Sequence, residues 1–215
     1  MSRIRAFAPR MIAVVWIASF AGTARSQAVL DEWANVKLPP PPVLKPASVD
    51  PKTTALLLFD FTTQTCSQER RPRCAASMPI MKKLLDDARA RGMAVIYSVA
   101  LANTGEKDMM PEIKPNAGEP ILPPLGPDKF INSDFEKMLK EKGVQTIILN
   151  GTAAQSTVLH TGGEAALRGF NVIVPIDGMS SNDAFAELYT AFHLTTAARI
   201  MDKVTLTRAD MISYK

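Results

Sequence analysis

Downstream of residue 52 the chain alternates short, unbroken apolar runs with longer stretches of helical spacing. Residues 53–61 (TTALLLFDF) have strand length and no polar alternation, the pattern of a strand covered on both faces. Residues 77–91 space Met81, Leu84, Leu85 and Ala88 as a helix that Gly92 stops, and 93–100 form a second buried strand. Beyond an irregular stretch come a helix at 133–142, a strand at 144–150, a helix at 155–168, a strand at 171–176, a helix at 183–200 and a strand at 203–207. Strict alternation with short connections predicts an α/β domain: a doubly wound, mostly parallel, Rossmann-like sheet of about six strands with helices on both faces. Sites in such sheets form at the carboxyl ends of the strands, where this chain has Asp60, the turn at Gly151, and Asp177-Gly178. In the 183–200 helix, Phe185, Leu188, Tyr189, Phe192, Thr195 and Thr196 recur near helical spacing and predict a core stripe or a subunit contact.

Two segments break the alternation. Residues 101–129 are dense in proline and glycine, with at most a short strand near Ile121, and long loops of this kind often carry function. Residues 27–50 pass through Leu38-Pro39-Pro40-Pro41-Pro42 and Lys45-Pro46, a composition that stiffens into polyproline II rather than helix, and read as an arm leading into a domain at 51–215. Ahead of it, Arg3, Arg5 and Arg10, an apolar run at 11–20 and small residues around Ala24 have the order of a cleaved secretory signal peptide, residues 1–26. That run is too short for the roughly 20 residues of a membrane span, so no stable membrane anchor is expected after cleavage, and a periplasmic or secreted protein is.

Export changes how charge and cysteine are read. The chain carries 25 basic and 21 acidic residues; without Arg3, Arg5, Arg10 and Arg25 the balance is 21 against 21, so the domain has no electrostatic footprint for nucleic acid. In an oxidising compartment Cys66 and Cys74 can pair across the short loop between them, and closing it contributes about 2 to 3 kcal/mol. The alternative is a free, reactive Cys66 activated by Arg70, Arg71 and Arg73.

Asp60 ends an apolar strand, where an unpaired carboxylate is costly to bury; it reads as an acid or base, or as a cap of the following loop. In Asn150-Gly151-Thr152-Ala153-Ala154-Gln155-Ser156-Thr157, small residues join a strand to a helix, so the N–H groups around Ala153, Ala154 and Gln155 could hold a ligand oxyanion, or the turn could simply pack closely. His160 and His193 are the only histidines. They have no metal-ligand spacing, and His160 is a candidate base for Thr157 or a helix-surface residue. No cofactor fingerprint appears, and a small-molecule substrate or ligand is the expected partner.

Together LLLFDF with Asp60, FINSDFEKMLKEKGVQTIILNGTAA and STVLHTGGEAALRGFNVIVPIDGMSS resemble the isochorismatase-like (cysteine hydrolase) superfamily over residues 53 to 181. The resemblance implies a six-stranded parallel sheet, an Asp at the end of its first strand (here Asp60), a Lys after the irregular excursion, and a homo-oligomer. It also implies a cis bond between Thr152 and Ala153, with the N–H groups of Ala153 and Thr157 forming an oxyanion hole. Two positions depart from the pattern. The family's usual Cys nucleophile falls on Thr157, and its Lys falls near Pro123 to Gly126, where none exists; Lys129, several residues later, is either a displaced substitute or an ordinary loop lysine.

Three readings follow. Asp60 protonates an enol ether and water completes the hydrolysis, as the resemblance to thiol-free isochorismatases implies; or Thr157 Oγ attacks with Asp60 as base; or the scaffold binds a small molecule or partner without turnover.

Overall fold

The computed structural model describes residues 29–215; the expected signal peptide, residues 1–26, lies outside them. The chain divides after Pro39 into two compact units. In the first, Val29–Glu32 form a short helix, α1, and Trp33–Asn35 a 3-10 turn. The arm is therefore not extended throughout: its prolines begin only at Pro39, and the proline-free stretch before them turns.

The second unit starts earlier than the expected boundary at residue 51. Lys45 N donates to Leu206 O at 2.9 Å, and β1 (Ala47–Val49) pairs in parallel with β9 (Ile212–Tyr214). Ala47 and Val49 are buried while Ser48 faces outward. Once past Pro46 the backbone recovers its N–H donors, and an alternating triplet is enough for an edge pair.

The main sheet contains β2 (Thr54–Phe59), β3 (Ala94–Ser98), β4 (Ile121–Leu122), β5 (Thr146–Thr152), β6 (Asn171–Pro175) and β8 (Val204–Thr207), in the order β4-β3-β2-β5-β6-β8 and parallel throughout. A short β7 (Met179–Ser180) adds to the end of β5. The order places β2 and β5 at the centre, which is why every residue of β2 is buried. Alternation along the strands sorts the core into two layers. Leu57, Phe59, Leu149 and Val174 pack with Phe135, Leu139, Val158 and Leu194 of α3 (Phe135–Glu141), α5 (Ala184–Thr196) and the turn before α4 (Leu159–Leu167). Leu56, Leu58, Ile148 and Ile173 pack with Met78, Met81 and Leu85 of α2 (Pro72–Ala90) on the other face.

Two helices differ from expectation. α2 begins five residues early because Pro72 occupies its first turn, where its missing N–H costs nothing. α5 presents the reverse of its expected stripe: Ala186, Thr190, Ala191 and Leu194 are buried, whereas Phe185, Tyr189 and Phe192 are 63%, 44% and 36% exposed. The small residues let the helix approach the sheet, and the large aromatics are left on the outside of the single chain.

Candidate active site

Strand β2 ends as the backbone enters the left-handed region at Asp60, φ 64°. This conformation is uncommon for a residue with a Cβ, but Asp tolerates it, and here it is held from both sides. Asp60 N donates to Ser98 O at 3.0 Å, and Asp60 O accepts from Thr62 N at 3.0 Å and from Thr65 Oγ1. The turn aims a carboxylate that is 4% exposed across the carboxyl edge of the sheet. Oδ1 accepts from Ser98 Oγ at 2.6 Å, and Lys129 Nζ lies 3.2 Å from both oxygens. Gly126 O, at 3.0 Å, takes the third direction of that ammonium, so its three donors are all engaged.

Lys129 is therefore the lysine that reaches Asp60, although it stands later in the chain than the family pattern has it. The chain turns through Gly126 at φ +94°, a conformation that favours glycine, and folds back so that Lys129 bonds the Gly126 carbonyl. Thr161 of α4 secures the return: its hydroxyl donates to Pro127 O at 3.1 Å and accepts from Lys129 N at 3.2 Å. Ser133 Oγ donates to Lys129 O at 2.6 Å. Of two ways to bury a lysine, the fold uses the satisfied one: the side chain is 1% exposed and paired.

Beside this pair the second crossing leaves β5. Gly151 stands in register with Phe59, the bond from Thr152 to Ala153 is cis, and a π-helical turn (Ala154–Val158) precedes α4. A Cβ on Gly151 would meet Thr157 Cγ2 at 3.0 Å and Phe59 O at 3.2 Å, so the glycine allows Thr157 to close over the ends of β2 and β5. Thr157 is 1% exposed, and its Oγ1 has no hydrogen-bond partner among the described residues. His160 is exposed on α4 and does not serve that hydroxyl. Of the residues expected to present N–H groups, Ala154 is buried and Ala153 half-buried; Gln155 is exposed, with Oε1 accepting from Ser181 Oγ at 2.7 Å. Asp177, the third candidate at a strand end, accepts from Ala209 N at 3.0 Å and so anchors the C-terminal segment.

Three residues have roles here that the sequence reading did not give them. Ser98 closes β3 next to Asp60, a position legible as the polar end of an apolar strand. Thr152 Oγ1 donates to Ser180 O at 3.2 Å and accepts from Arg71 Nη1 at 2.6 Å. Arg71 itself lies in the loop closed by a Cys66–Cys74 disulfide, whose Cα atoms are 5.2 Å apart, so Cys66 is no free thiol.

A family model described as the isochorismatase domain matches residues 54–207, which span all of this machinery. The chain belongs to the isochorismatase family. Among relatives of this isochorismatase-family chain is a secreted isochorismatase effector of Verticillium dahliae, 24% identical over 148 residues, covering 64% of this chain and 78% of the relative. Its fold is also that of an isochorismatase family protein from Desulfovibrio vulgaris subsp. vulgaris str. Hildenborough, at TM-score 0.67 and 19% identity, over 74% of this chain and 95% of that one. N-carbamoylsarcosine amidase from Thermoplasma acidophilum superposes at TM-score 0.63 and 20% identity, over 74% and 97% of the two chains.

Proposed function

We propose that this isochorismatase-family protein is an exported hydrolase that breaks a C–O or C–N bond of a small molecule without a cysteine nucleophile, with Asp60 moving the proton. The observation that carries this reading is the buried Asp60–Lys129 pair at the carboxyl edge of the central strands, next to the Gly151–Thr157 crossing. A carboxylic acid that protonates its substrate is left as a carboxylate, and Ser98 Oγ and Lys129 Nζ are already placed to stabilise that anion. Oδ2 accepts from Lys129 alone among the described residues, which leaves it capacity for substrate or water.

For an enol ether, the proton passes from Asp60 to the vinyl carbon and water adds to the resulting oxocarbenium carbon. The proton that water loses returns to Asp60, and the hemiketal separates into ketone and alcohol. Thr157 then lines the site. As a nucleophile it would need a base to take its proton, and its Oγ1 has no acceptor among the described residues. Export is supported by the Cys66–Cys74 disulfide and by the secreted relative.

A second reading, ligand binding without turnover, is favoured by one observation. Asp60 and Lys129 are nearly closed to solvent, and five surface cavities of about 280 to 400 Å³ are lined by other residues. The deciding experiment assays the protein and its Asp60→Asn variant against small enol ethers and amides, with thermal melts of both. The expected outcome is loss of turnover by about 10²-fold to 10⁴-fold in a variant that still folds. Unchanged turnover removes Asp60 from the mechanism, and binding without turnover in the wild type favours the second reading.

A further inference from the structure

The loop between Asp60 and α2 delivers to the β5 crossing a cation that no carboxylate among the described residues neutralises. Arg71 Nη1 donates to Thr152 Oγ1 at 2.6 Å and Nε to Asn182 Oδ1 at 2.9 Å. Both acceptors are neutral, and Nη2 has no protein partner among the described residues. The other arginines of the second unit behave differently. Arg73, Arg89, Arg91, Arg168 and Arg208 each pair with a carboxylate, and Arg70 and Arg199 are exposed to water. Arg71 alone combines partial burial with the lack of an acidic partner. Burial, and Arg70 beside it, pull the Arg71 guanidinium below its ordinary range, so the folded chain bears an uncompensated desolvation cost.

That cost is unnecessary if Arg71 only ties the loop to β5, because a neutral amide could donate to both Thr152 and Asn182. The loop is also built to hold the side chain in place. Its two ends are joined by the Cys66–Cys74 disulfide, both cysteines are fully buried, Arg71 N donates to Ser67 O at 2.8 Å, and Cys74 N donates to Arg71 O at 3.0 Å. Thr152 is the residue after Gly151, which stands in register with the residue before Asp60, so the guanidinium is fixed at the end of the strand that adjoins the Asp60 turn.

We propose that Arg71 is an anion subsite that takes a carboxylate of the substrate, making the preferred substrates small carboxylic acids whose scissile bond extends toward Asp60. This rests on the hydrolase reading for the word substrate, but the binding claim stands separately. One planar guanidinium with one open nitrogen balances a single negative charge; a phosphate dianion would leave a charge unmatched, since Arg70 is turned away onto Gln64 O at 3.3 Å.

The test measures binding by calorimetry for matched pairs of small carboxylates and their methyl esters, among them 2-methoxyprop-2-enoate, a ureido acid and an aromatic acid. The protein used is the chain from residue 27 onward, with its disulfide intact. At least one carboxylate is expected to bind about tenfold or more tighter than its ester, as loss of a charge-assisted hydrogen bond implies. Arg71→Gln should bring that ratio to about one, Arg71→Lys should keep part of it, and Arg70→Gln should leave it intact. A wild-type ratio near one for every pair overturns the proposal, as does a preference that survives in Arg71→Gln. Should Arg71→Gln fail to fold, the wild-type ratio together with Arg71→Lys decides. Asp60→Asn separates the two claims: if no probe is turned over by the wild type but the carboxylate preference persists in Asp60→Asn and depends on Arg71, the hydrolase reading fails and the subsite stands.

Discussion

Two crossings from strand to helix meet at the same edge of this sheet, and they are built in opposite ways. The one after β2 is long and charged: it turns at Asp60, runs through the disulfide-closed loop, and reaches α2 at Pro72 with Arg71 at its side. The one after β5 is short and neutral: glycine, threonine and alanine pass directly into the turn that opens α4, and what holds it is close packing around Gly151 and Gly178. A Cβ on Gly178 would lie 2.0 Å from Asn150 Oδ1, so the backbone there is as tightly matched as a core side chain. Side-chain charges brought together from distant parts of the chain need partners or a covalent tie to stay in place. Backbone groups need only small neighbours.

Removing a charge partner has the largest expected effect on the first crossing. Lys129→Met leaves the Asp60 carboxylate buried and uncompensated, and should cost about 3 to 5 kcal/mol by chemical denaturation. Asp60→Asn combined with Lys129→Met should recover most of that loss, because it removes the stranded charge. A single-variant cost below about 1 kcal/mol would mean that the pair is readily hydrated and does not hold the crossing.

Next in size is the covalent tie. Replacing both Cys66 and Cys74 by Ala should lower stability by about 2 to 3 kcal/mol, the chain-entropy value for so short a loop. It should also release Arg71 from the β5 crossing, visible as faster proteolysis within residues 66–74, with little change in amide protection of α4. Equal loosening of both crossings would show them to be one unit.

The smallest effect has the opposite sign. Thr157 Oγ1 is buried without a partner among the described residues, so Thr157→Val, nearly isosteric, should raise stability by up to about 1 kcal/mol in a melt. It should leave turnover nearly unchanged if Thr157 only lines the site. Abolished turnover would restore the hydroxyl as nucleophile.

Most of the fold was legible because its strands are continuous apolar runs and its helices have 3.6-residue spacing, signals that belong to each segment by itself. The exceptions are instructive. β1 and β9 are three residues each, too short for periodicity to mark either as a strand. On α5 the aromatic stripe looked like the buried face, but the short residues are what the sheet admits. At the site, Asp60 and Thr157 could be marked from their positions at a strand end and a helix start. Lys129 could be marked only with its role open, since its reach depends on the fold-back at Gly126 and the brace from Thr161. Arg71 had no local signal beyond a cluster of arginines.

By itself, then, the sequence determined the α/β class, the order of the strands' apolar runs, the two crossings at the carboxyl edge, and the cysteine pair whose spacing permits a small loop. Those are properties of short segments, where composition and periodicity act directly on local conformation and burial. It took the assembled fold to bring Lys129, 69 residues from Asp60, into its pair, and to set Arg71, 81 residues from Thr152, against the second crossing without a counter-charge among the described residues. Contacts at such separations are set by how the sheet orders its strands and where each loop is pinned, and neither is written in any single stretch of chain.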